Sequence, residues 1–89
     1  MQTAGRVKAY AFSCHANFLL VGLEGGVVEM WDGTAMPLCV HSQELPGCAE
    51  SDVVSVAWSF NNRLLFAITS SMMLFILDAE NGAVLQQCL

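Results

Sequence analysis

Slid against itself by 46 residues, the chain repeats. "VKAYAFSCHANFLLVGLEGGVVEMWD", 7–32, lies without a gap over "VVSVAWSFNNRLLFAITSSMMLFILD", 53–78. Val7/Val53, Ala11/Ala57, Ser13/Ser59, Leu19/Leu65 and Asp32/Asp78 are identical. Phe12/Trp58, Phe18/Leu64, Val28/Leu74, Met30/Ile76 and Trp31/Leu77 agree in kind. The two copies are expected to fold as the same series of elements.

Each copy reads as short strands separated by turn residues. The pattern predicts strands over 7–12 and 53–58, 18–22 and 64–68, 27–31 and 73–77, and about 37–41 and 83–88. "SCHAN" and "SFNNR" fill the first turns, "LEGG" and "TSSM" the second, and "DGTAMP" and "DAENG" the third. Glycine suits such hairpins because it adopts positive φ without steric cost. Runs rich in Val, Ile, Leu and aromatics at this spacing indicate an all-β fold. Gly25-Gly26, Gly33, Pro37 and Pro46-Gly47 break every window long enough for a helix. The expectation is two consecutive four-stranded antiparallel sheets, about 7–41 and 53–88, joined by 42–52. Their matching faces are expected to hold Val7, Ala9, Leu19, Val21 and Val28 in one unit and Val53, Leu65, Ala67 and Leu74 in the other.

Composition narrows the setting. Hydrophobic residues make up 55% of the 89 and charged residues 12%, too apolar for disorder and rich for a domain of this size. The richest stretch, 64–77, is shorter than the roughly 20 apolar residues of a spanning helix and contains Thr69, Ser70 and Ser71. Arg6 and Lys8 precede an apolar run that His15 and Asn17 interrupt, with no small-residue cleavage site behind it. The expectation is a soluble, intracellular chain without a membrane partner. With a net charge of −5 and only Arg6, Lys8 and Arg63 as bases, direct nucleic-acid binding is disfavoured.

Cys14, Cys39, Cys48 and Cys88 form no C-x-x-C pair. Cys14-His15 and Cys39-x-His41 would supply four zinc ligands, and in a regular strand Cys39 and His41 share a face. The spacing fits no zinc module, so reduced, buried cysteines and no metal are expected.

"VVSVAWSFNNRLLFA" and "GLEGGVVEMWD" resemble the WD-repeat family, in which each four-stranded unit is one blade of a β-propeller. The two copies cover about 7–88. The resemblance implies that Trp31 is an aromatic anchor packed between neighbouring blades and that Asp32 opens the turn to the outer strand. In the second copy Asp78 matches Asp32, Leu77 replaces the tryptophan, and Trp58, at the end of the first strand, is expected to pack in the core. The chain departs from the family where Cys48-Ala49 stands in place of a Gly-His pair, and where Gly25 and Ser71 replace the turn aspartate. "FILDAENGAVL", 75–85, also resembles an element of quinoprotein-type propellers.

Two blades do not close a ring, so the resemblance implies a piece of a longer propeller protein, or copies that assemble into one. The function implied is a non-catalytic protein-interaction scaffold. Its loops 42–52, 23–26 and 69–72 carry Glu24, Glu44, Glu50 and Asp52 and no Lys or Arg, which favours a basic protein or peptide partner. The alternative is two blades of a quinoprotein-like enzyme. No nucleophile motif is present, and His15 and His41 are far apart in the expected fold, so neither a catalytic residue nor a cofactor is assigned.

Overall fold

The structure is a computed structural model that describes residues 3–13, 17–33 and 38–88. Among these residues every regular element is a strand: β1 Val7–Phe12, β2 Phe18–Leu23, β3 Val27–Asp32, β4 Leu38–Glu44, β5 Val53–Trp58, β6 Leu64–Thr69, β7 Leu74–Asp78 and β8 Val84–Cys88. They form two four-stranded antiparallel sheets in the orders β1-β2-β3-β4 and β5-β6-β7-β8, here sheet one and sheet two. Each strand is hydrogen-bonded to its neighbour in sequence, as short turns between short strands require.

The first two strands of each copy begin where the repeat places them. The fourth strand of sheet one does not. It runs to Glu44, three residues beyond the expected end, because Val27 and Val28 of β3 pair with Glu44 and Gln43. The connection between the sheets is correspondingly 45–52.

The expected face assignment needs correction. Residues opposite each other in a ladder share a face. Leu19 pairs with Trp31 and Val21 with Glu29, whereas Leu20 pairs with Met30 and Gly22 with Val28. Leu19 and Val21 therefore lie on one face of sheet one, and Ala9 and Val28 on the other. In sheet two, Leu65 and Ala67 share a face with Leu77 and Phe75, while Leu74 lies opposite them with Ile68. Val7 is 40% exposed rather than packed. Sheet one is apolar on both sides, so alternation alone does not say which side meets the partner sheet.

The main core lies between the sheets. Leu20 and Val28 come from sheet one, and Val53, Leu65, Ala67, Phe75 and Leu77 from sheet two. Leu45 and Cys48 of the connection insert into the same cluster. Close approach depends on Gly22, since a Cβ there would run into Val53 Cγ1 and stand 2.8 Å from Val53 Cβ. Trp58 packs against this core and donates its indole N–H to the Ala11 carbonyl oxygen at 3.0 Å, 47 residues away. Its ring also meets Phe18, with centroids 6.5 Å apart. At the far side, His41 of β4 has Nε2 2.6 Å from the Glu80 carbonyl oxygen in the β7–β8 turn. β1 and β2 of sheet one thus clasp β5 of sheet two.

Candidate interaction surface

Three loops meet at one end of the two sheets, and backbone hydrogen bonds hold them together. Leu45 donates its N–H to the Gly26 carbonyl at 2.8 Å, tying the connection to the β2–β3 tip. Ser70 donates its N–H to the Asp52 carbonyl at 2.8 Å, and Asp52 returns its own N–H to Ser70 Oγ at 3.1 Å. The second tip, between β6 and β7, is tied in by this exchange. Gly26 is required for the junction. Its φ is +72°, and a Cβ there would lie 2.7 Å from Cys48 Cβ and against the Cys48 carbonyl oxygen.

Glu24, Glu50 and Asp52 lie on these loops, and Glu44 is the last residue of β4, directly before the connection. Glu24, Glu44 and Glu50 are exposed and Asp52 is half-buried. A cleft of about 310 Å³ opens beside Glu44, lined also by Gly25, Leu45, Pro46, Gly47 and Ala49. The end is less uniformly acidic than the loops alone suggest, because Lys8 of β1 pairs with one of its acids. Lys8 Nζ lies 3.7 Å from an Asp52 carboxylate oxygen, and Arg6 donates its backbone N–H to Glu24 Oε1 at 3.4 Å. The Lys8–Asp52 pair is more than a third exposed on both sides, where such pairs contribute little to stability.

The aromatic and acidic residues of the repeat motif play different parts. Trp58 is at the end of β5 in the space between the sheets. Trp31 is 8% exposed but faces away from sheet two, in a second cluster with Val21 and Leu23. Asp32 and Asp78 end β3 and β7, opposite Phe18 and Leu64. Asp78 Oδ1 accepts the Glu80 N–H at 2.8 Å and so shapes the β7–β8 turn.

Glu29 was missed in the sequence, although its spacing two residues before Trp31 puts both on one strand face. It is 4% exposed. One carboxylate oxygen accepts the Trp31 indole N–H at 3.0 Å, and the other accepts the Ala4 backbone N–H at 3.3 Å. The segment before β1 is therefore held against the far face of sheet one.

Cys39 and His41 do not share a face. The register shifts between Met30 and Trp31, so that Met30 pairs with His41 and Trp31 with Cys39, and Val40 is the extra residue. Such a bulge reverses the side-chain alternation. His41 then points toward sheet two and Cys39 joins the Trp31 cluster. Burial pushes the Cys39 thiol above its ordinary pKa, and the Glu29 carboxylate adds to that effect. Cys14 and His15 lie outside the described residues. Among the described residues no three His, Cys, Asp or Glu side chains are grouped to hold a metal ion, and no helix is long and apolar enough to cross a membrane.

A larger cleft, about 710 Å³, opens at the opposite end between the sheets, with Phe18, Met30, Trp58 and Leu64 on its walls and Arg63 and Glu80 also lining it. Compared with protein-family models and with curated proteins, the chain matches none.

Proposed function

We propose that the chain is a non-catalytic interaction scaffold built from two WD-like β-propeller blades, and that its acidic loop end receives a basic peptide or protein surface. The exposure of Glu24, Glu44 and Glu50 at one end, where backbone hydrogen bonds tie the loops together, carries this reading. Glu44 is on the wall of a cleft there, and Glu24 and Glu50 are each next in sequence to a lining residue, Gly25 and Ala49. Rigid sheets support loops that are free to present charge, the usual division between scaffold and recognition surface. Leu45, Pro46 and Ala49 line the cleft together with Glu44, a combination that suits the aliphatic stem and charged head of Lys or Arg. Opposite-sign complementarity then sets orientation and encounter rate. The 46-residue repeat and the paired four-stranded meanders support the blade reading.

The test is fluorescence anisotropy of a labelled Lys/Arg-rich peptide with the intact chain. The combined variant Glu24→Gln, Glu44→Gln, Glu50→Gln is expected to weaken binding at least about tenfold, the equivalent of ~1.4 kcal/mol. A control variant, Glu80→Gln at the opposite end, is expected to leave it unchanged. Equal weakening by both variants would mean that the peptide responds only to net charge, and the assignment to this cleft would fall.

A further inference from the structure

The two packed faces are not equivalent under the 46-residue correspondence. Ala11, Leu20, Gly22, Val28 and Met30 lie on the face of sheet one turned toward sheet two. They correspond to Ala57, Phe66, Ile68, Leu74 and Ile76, which lie on the face of sheet two turned away from sheet one. In the opposite direction, Val56 and Trp58 pack onto sheet one, and they correspond to Tyr10 and Phe12 on the far face of sheet one. Each end of the molecule thus carries one half of the interface found in its middle.

Both halves are open. Tyr10 is 67% exposed and Phe12 58%, and their rings touch edge to face with centroids 6.2 Å apart. Across the molecule, Ile68 is 38% exposed, while Phe66, Leu74 and Ile76 are half-buried. We propose that this far face of sheet two docks a second copy of the chain, which presents Tyr10 and Phe12 from its β1. Inside the molecule β5 sits against β1 and β2. Between copies, β1 of the second would sit against β5 and β6 of the first. This contact joins unlike faces, so it is heterologous and continues from copy to copy unless a ring closes.

Three differences make the contact between copies weaker than the one within the molecule. Gly22, the recess that admits Val53, corresponds to Ile68, so Val7 of the second copy packs onto a side chain instead of entering a notch. Phe12 lacks the N–H by which Trp58 reaches the Ala11 carbonyl. The Ala4–Glu29 contact holds the leading segment over part of the far face of sheet one, which confines docking to its β1 side. Reversible assembly follows. The inference stands on the sheet faces and is independent of the acidic loop end.

Sedimentation of the full chain tests it. The average mass of the unaltered chain is expected to rise with concentration across the micromolar range. Phe12→Glu and Ile68→Glu change exposed positions at opposite ends, and each variant alone is expected to be monomeric. Their equimolar mixture is expected to form a dimer and stop there, because one intact face of each kind remains. A monomeric unaltered chain would overturn the proposal, as would happen if the face belonged to a further unit of a longer chain or to a different protein. Self-association of Phe12→Glu alone would also overturn it, because that requires like faces to meet. Hydroxyl-radical footprinting of the unaltered chain gives a readout without any variant. Concentration-dependent protection should appear at Tyr10, Phe12, Phe66 and Ile68 together, and protection at one end alone would overturn the proposal.

Discussion

A buried carboxylate between an indole and a backbone amide is the most specific single-residue feature of the fold. Glu29 is confined among apolar neighbours, and its two acceptor contacts, to Trp31 and Ala4, offset part of the cost of removing it from water. Glu29→Ala leaves both donors without that acceptor and is expected to lower stability by about 1–3 kcal/mol. Glu29→Gln keeps one oxygen acceptor and should cost less, as chemical denaturation of the two variants will show. An equal loss in both would place the effect in the missing charge instead of the hydrogen bonds. Met72 is a second residue where local conformation is unusual. Its φ of +68° nearly matches the +72° of Gly26, its counterpart 46 residues earlier, whereas Ser71 does not share the positive φ of its own counterpart Gly25, so the two turns agree at that one residue.

At the scale of elements, the strands were legible and their faces were not. Turn residues and the repeat located the first three strands of each copy, since Gly, Asn and Ser punctuate runs of apolar residues in both. The β3–β4 bulge at Val40 left no mark in the sequence, and it alone separates Cys39 from His41. The acidic loop end was legible because acids cluster in the connection and the first tip. The contribution of Lys8 was hidden, as it depends on how β1 lies beside Asp52. Gly22 was equally hidden, although it decides how closely the sheets approach. Gly22→Ala is expected to cost about 1–3 kcal/mol through overpacking against Val53. Val53→Ala should relieve much of that in the double variant, so the two losses should fail to add in thermal or urea melts. Strict additivity would show that the sheets yield at that point instead of clashing.

The whole molecule is two similar sheets fastened through an insert that belongs to neither. Leu45 and Cys48 sit in the inter-sheet core, 3% and 1% exposed, while Pro46 and Gly47 between them are exposed. The covalent tie across 46–47 is therefore separable from the packing that it spans. A chain cut there would leave Leu45 on the first piece and Cys48 on the second, each still shaped to fill the same cluster. The two pieces should reassemble in trans as complementing fragments, with recovery of the near-ultraviolet signal of Trp58 on mixing as the measure. Failure of mixed pieces to regain it would show that the tie supplies more than proximity. Success would make this turn a natural place to split the protein into a two-part reporter, or to open new chain ends without dismantling either sheet.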